Sequence, residues 1–213
     1  MSLKYLVTIL YQPRETMQRI LQSANRWSLQ IIALAAVCAS VQDVNTRDIA
    51  RELPGFTLAP TLALAVIAIV GQAVGWAILA LLVALLAAPI GRLLLGGTAK
   101  FRDVFAAVAW ALVPAIWSLL YRVPFTILSY RLHDVPRQDT RKFLLTFVSH
   151  GGCSLVVVYI VLQLAFEIAC VVLASFTVAE AQKFSTQKGF VNVIAALVFP
   201  VMVIFAAVFS LRS

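Results

Sequence analysis

Between Leu53 and Gly91 the sequence runs 39 residues without an Asp, Glu, Lys or Arg. No other feature constrains the fold so strongly. Four more charge-poor stretches share the chain: 16 residues from Trp27 to Gln42, 18 from Val104 to Tyr121, 37 from Phe143 to Ala179 interrupted only by Glu167, and 23 from Gly189 to Leu211. A spanning helix needs about 20 apolar residues. With 62% hydrophobic and 12% charged residues in 213, the chain has more apolar surface than a soluble fold of its length can bury. Lipid leaves only helices and closed barrels as spanning structures, and stretches this long suit helices. The composition excludes an ordinary soluble enzyme, a disordered chain and a disulfide-stapled secreted domain.

The predicted fold is all-α: an integral membrane bundle of five transmembrane helices, at about residues 27–43, 58–88, 104–121, 153–176 and 189–211. The 39-residue stretch lacks a polar turn and reads as one long helix from Leu58 to Ala88, tilted or ended by Pro89. His150-Gly151-Gly152 breaks the 37-residue stretch, so Phe143 to Ser149 would approach the span along the interface. Residues 1–26 form an N-terminal cytosolic or interfacial segment, followed by the membrane domain at 27–213. Within that segment, Arg14 to Asn25 after Pro13 carries Met17, Ile20 and Leu21 at helical spacing, the pattern of a short amphipathic helix. The apolar run Tyr5 to Tyr11 is short and is followed by Pro13 with no small-x-small cleavage site, so insertion by the first span is expected.

The formal charge is +8, from 17 basic and 9 acidic residues. No basic run is long enough for a nucleic-acid arm, and residues of this kind flank spans and meet anionic lipid. Five spans place nine basic residues on the N-terminal side and eight on the other. The early segments, four against two, favour a cytosolic N-terminus. Cys38, Cys153 and Cys170 have neither CxxC nor metal spacing and read as small packing residues.

Gly96-Gly97-Thr98-Ala99-Lys100-Phe101-Arg102, running into the Ala-rich segment that ends at Pro114, resembles the central signature of the Yip1 family. There a Gly-Gly-x-x-x-Phe/Tyr turn joins the second and third spans. Pro13-Arg14-Glu15-Thr16 resembles the family's N-terminal Pro-x-x-Thr segment, and Lys183-Phe184-Ser185 to Gly189 resembles the segment before its last span. The order and spacing of the three, over nearly the whole chain, carry the resemblance. It implies a multi-pass protein with a cytosolic N-terminus. The eukaryotic members' Asp-Leu-Tyr-Gly-Pro motif and long polar N-terminal region are missing, so the chain resembles the short prokaryotic branch. That implies a bacterial cytoplasmic membrane, and small-GTPase binding is not carried over. The resemblance places Phe101 in the signature; from the residues alone, Gly96-Gly97 makes a tight turn, Arg92, Lys100 and Arg102 meet headgroups, and Pro114 ends or kinks the third span.

Glu167 is the one charge near the middle of a span, on a helical stripe with Tyr159 and Gln163. It is either a proton- or ion-sensing group or wall of a polar cavity, or a neutral side chain bonded to a neighbouring span through Asn192, Gln72 or Gln30. Gly71-x-x-x-Gly75 invites close helix packing, within the chain or between copies. The loop Arg122 to Lys142 mixes basic and apolar residues, as an interfacial or partner-docking segment does. His133 and His150 lack zinc spacing, Gly151-Gly152-Cys153-Ser154 lacks a nucleophile context, and no phosphate loop or dinucleotide fingerprint exists. The chain therefore reads as no enzyme, without cofactor or metal and without nucleic-acid partners. It acts on the bilayer or on a membrane protein partner as an organising or adaptor component. The rival is a small permease or channel subunit with its polar site around Glu167.

Overall fold

The computed structural model describes residues 4–23, 27–40, 58–133 and 152–210. The described residues are helical, with no strand among them. In chain order they form α1 (Lys4–Tyr11), α2 (Pro13–Gln22), α3 (Ser28–Ser40), α4 (Leu58–Leu95), α5 (Phe101–Trp110), α6 (Val113–Trp117), α7 (Leu119–His133), α8 (Gly152–Gln182) and α9 (Thr186–Ser210). Among the described residues, three stretches are long and apolar enough to cross a membrane: Val66–Leu95, Phe101–Ile127 and Val157–Gln182. Ser28–Ala39 is apolar but shorter.

The packing follows from small side chains. Lipid tails are as apolar as leucine, so helices gain by close backbone approach and interhelical hydrogen bonds more than by burying large side chains. On α4, Ala80, Ala84, Ala87 and Ala88 face the bundle, while Ile67, Val70, Ile78 and Leu85 face outward. The facing helix α5 contributes Ala106, Ala107 and Ala109, all fully buried. Gly189 of α9 sits so close to the Ser175 carbonyl and Ala179 of α8 that a Cβ would collide with both. The Thr177 hydroxyl donates to the Ala107 carbonyl at 2.9 Å, bonding α8 to α5.

Several boundaries differ from the sequence reading. Pro89 lies inside α4, which continues to Leu95; it faces outward, where loss of one backbone bond leaves the packed face intact. The third run is not one smooth helix. It breaks at Ala111 and Leu112, and Pro114 starts the next segment in a first-turn position, where its missing N–H costs nothing. Nor does this run stop at Tyr121. It stays helical to His133, because the charge at Arg122 is buried and bonded and does not meet solvent. The expected loop is therefore helical over its first part, and its remainder lies outside the described residues. So do His150, Gly151 and the approach segment. The fourth helix passes Phe176 and ends at Gln182.

The N-terminal helices are packed on the bundle. Pro13 opens α2, and Met17 and Ile20 lie on its buried face, beside α8. The Arg14 Nη2 donates to Thr186 Oγ1 at 2.7 Å, and the Gln18 amide donates to Glu180 at 2.9 Å. α1 runs along the third helical run: Tyr5 meets Trp110 edge-on at 6.4 Å, and the Trp117 indole N–H donates to the Leu6 carbonyl at 3.2 Å. The amphipathic face of this segment thus covers protein.

Among the described residues, nothing lies within 4 Å of a Cβ added at Gly71 or Gly75. Close packing against another helix of the same chain, the expectation for this pair, does not occur among the described residues.

Candidate functional site

Two polar clusters interrupt the apolar interior. The first surrounds the turn between α4 and α5. Gly96 takes a φ of +77°, the left-handed conformation that ends α4 and suits glycine. The Gly97 N–H then donates back to the Gly91 carbonyl at 2.8 Å. What holds the turn is distant in sequence: Gln182, at the end of α8. Its side-chain oxygen accepts the Ala99 N–H at 3.3 Å, its amide N–H donates to the Ala87 carbonyl at 3.3 Å, and its own carbonyl accepts the Thr98 N–H at 3.4 Å. A side chain at Gly97 would strike the Gln182 amide, and one at Gly91 would strike Gln182 and Asn192. Asn192 donates to Ala87 at 3.0 Å and leaves its Oδ1 buried with no partner among the described residues. Arg92, expected at headgroups, is exposed and donates twice to the Ala99 carbonyl, from Nε at 2.7 Å and from Nη2. Lys188 reaches the Leu95 carbonyl at 3.2 Å, a cation at a helix C-terminus. Lys100 and Phe101 are exposed; Phe101 stacks on Phe105, and the Lys100 N–H meets the Asp103 carboxylate at 3.4 Å. Pro114 is buried, well along the run from this turn.

α8 turns into α9 through Lys183, whose φ is +60°. The Phe184 N–H returns to the Ala179 carbonyl at 3.1 Å and the Lys183 N–H to the Glu180 carbonyl at 3.3 Å, a Schellman closure with lysine where glycine is usual. The Lys183 ammonium pairs with Glu180 at 2.5 Å.

The second cluster lies toward the other end of the bundle. The Gln163 carbonyl oxygen accepts the Tyr121 hydroxyl at 2.5 Å and Arg122 Nη2 at 2.8 Å, and the Gln163 amide donates to Glu167 at 2.6 Å. Arg122 Nη1 donates to the Ala39 carbonyl of α3 at 2.5 Å, while its Nε is buried and has no partner among the described residues. Tyr159 packs its ring on Tyr121 and Phe125 at 5.7 and 5.3 Å. The Tyr159, Gln163 and Glu167 side chains therefore gather with Tyr121 and Arg122. Glu167 is bonded to Gln163 of its own helix and lies exposed at the edge of the bundle; the Asn192 amide, suggested as its partner, donates to Ala87. Arg122 and Gln182 were missed as site residues. Arg122 was read as a loop residue because its charge closed an apolar stretch. Gln182 gave one signal, an amide at the end of a long apolar helix.

This second cluster borders a cavity of about 340 Å³ where α3, α4, α8, α9 and the third helical run meet. Apart from Ser118, Tyr121, Arg122, Gln163 and Glu167, its walls are apolar: Leu79, Val83, Val108, Phe166 and Val193 are typical, with Trp76 and Cys170 among them. Among the described residues, no group of His, Cys, Asp and Glu could hold a metal ion.

The decisive comparison concerns the order of these parts along the chain: a family model described as the Yip1 domain matches residues 7–208. The chain belongs to the Yip1 family. The match takes in α2, the glycine turn and the α8–α9 turn together, the three places where the Yip1 resemblance was read. No curated protein and no solved structure matches the chain.

Proposed function

We propose that this chain is a five-span protein of a bacterial cytoplasmic membrane, with a cytosolic N-terminus, that acts without catalysis by contact with lipid or a membrane partner. The spans are α3, α4, the α5–α7 run, α8 and α9. The cavity carries the reading. Its polar groups are gathered beside Arg122 and Gln163, and the walls toward Val108 and Val193 are hydrocarbon. A hydrated ion or solute crossing there would lose its water without replacement, whereas a hydrocarbon group would not.

One observation favours the transport reading: Glu167 lines the same cavity. Reconstitution into liposomes separates the two. The adaptor reading expects proton and solute flux no greater than in empty liposomes, and expects Glu167→Gln to fold and function as the parent does. A cysteine at 167, with the native cysteines removed, should resist a polar thiol reagent. Rapid labelling with flux lost in Glu167→Gln would make the chain a permease.

A further inference from the structure

Arg92, Lys100, Arg102 and Lys188 gather at the end of the bundle where α4 passes into α5 and α8 into α9, and all four are exposed. Arg92 and Lys188 are held in place there. The Arg92 guanidinium is fastened to the Ala99 carbonyl and the Lys188 ammonium to the Leu95 carbonyl, so both stand on the glycine turn. These acceptors are neutral. They fix the position of each cation, leave its charge unanswered, and leave it N–H donors to spare. Other cations of the chain are compensated: Lys183 pairs with Glu180, and Gln163 links Arg122 to Glu167. The carboxylate in the first turn of α5, Asp103, is engaged with the Lys100 backbone N–H. Among the described residues, no ion pair reaches Arg92, Lys100, Arg102 or Lys188.

The side chains beside these cations distinguish a soluble anion from a lipid. Leu93 and Leu94, next to Arg92, are 82% and 77% exposed. Phe101 sits between Lys100 and Arg102, and Phe190 follows Lys188 on α9; both are exposed as well. Water around such side chains is unfavourable, whereas acyl chains solvate them. Free phosphate or an acidic peptide would answer the cations and leave the leucines in water. A phospholipid answers both, with its phosphate on the cations and its chains on the leucines. The headgroup must be net negative, because the ammonium of a zwitterionic headgroup would face the same uncompensated cations. α5 begins at this turn, and the partial positive charge of its N-terminus adds to the field.

We infer that the α4–α5 turn binds the phosphate of an anionic phospholipid such as phosphatidylglycerol, held by Arg92 and Lys188. Gly96 leaves room for the headgroup: among the described residues, a Cβ added there would meet nothing within 4 Å. Such a site rests on the reading that the chain works by membrane contact, and it names the class of lipid contacted.

The test titrates the full chain, in neutral detergent, with phosphatidylglycerol or phosphatidylethanolamine and counts bound lipids by native mass spectrometry. A basic side chain at an anionic lipid surface is worth a factor of about five in binding. The first phosphatidylglycerol should therefore bind roughly twentyfold more tightly than phosphatidylethanolamine, two such factors. Lys188→Gln leaves the bond between Arg92 and Ala99 in place and should weaken phosphatidylglycerol about fivefold. Arg92→Gln should weaken it by a similar factor, and is compared with Lys188→Gln because it also frees the Ala99 carbonyl. Arg19→Gln removes an equal charge from α2, away from the turn, and should leave binding nearly unchanged. Soluble glycerol phosphate should not compete. Equal binding of the two lipids by the parent, equal losses in Arg19→Gln and Lys188→Gln, or displacement by glycerol phosphate would overturn the assignment, the second by showing diffuse attraction to net charge and the third a free-phosphate site. Liposome flux is a separate readout: a conducting protein defeats the adaptor reading, and the headgroup site stands or falls by the lipid titration alone.

Discussion

Gly96 and Gly97 are adjacent yet make different demands. Gly96 needs its backbone angle and has open space around it, so Gly96→Ala should cost about 1 kcal/mol, the usual penalty for a left-handed alanine. Gly97 has no such angle but lies against the Gln182 amide, so Gly97→Val should lower the folded yield far more, while Lys100→Gln should leave melting unchanged. Equal thermal melting of the two glycine variants in detergent would contradict this division. Gln182→Leu should cost roughly 1–3 kcal/mol, since it strands the Ala99 N–H in a buried site. At this scale the sequence showed the glycines, whose pairing between long apolar helices has few other meanings. It did not show Gln182 or Arg122. Each earns its role from a partner more than 80 residues away, Ala99 in one case and Ala39 in the other. Local pattern carries no trace of such a pair.

The helices were legible wherever an apolar stretch was bounded by charges in solvent, and misjudged wherever a charge was buried or a proline tolerated. Arg122, Pro89 and the buried Glu180 near the end of α8 are instances. The stripe of Tyr159, Gln163 and Glu167 was readable from helical spacing, but the helix it faces was not, because spacing fixes a face and not its neighbour. Among the elements, α2 offers the sharpest test. Met17 is fully buried between α2 and the bundle, whereas Leu10 of α1 is exposed. Met17→Ala should cost about 2–4 kcal/mol and speed proteolysis of the N-terminal helices, with Leu10→Ala near neutral in detergent. The α8–α9 turn makes the opposite prediction. Lys183 holds a glycine-favouring angle, and its own end of the ion pair is exposed, while the buried Glu180 keeps a second bond from Gln18. Lys183→Gly should therefore stabilise by about 0.5–1 kcal/mol; a lower melting temperature would show that the pair with Glu180 outweighs the angle.

For the whole molecule, topology is the first measurement. Reporters sensitive to compartment, fused at each terminus, should place the two ends on opposite sides of the membrane; both on one side would remove a span or add one. The glycine turn has a consequence for how the protein is made. Its bonding partner Gln182 lies 83 positions beyond Ala99. At about 5–20 residues per second, a ribosome needs roughly 4–17 s to cover that distance. For that interval the Thr98 and Ala99 N–H groups lack the Gln182 partners of the finished fold, and the turn is open to a quality-control protease. Stalled chains ending before Gln182 should be degraded faster in a pulse-chase than chains stalled just after α9, although both contain the complete turn.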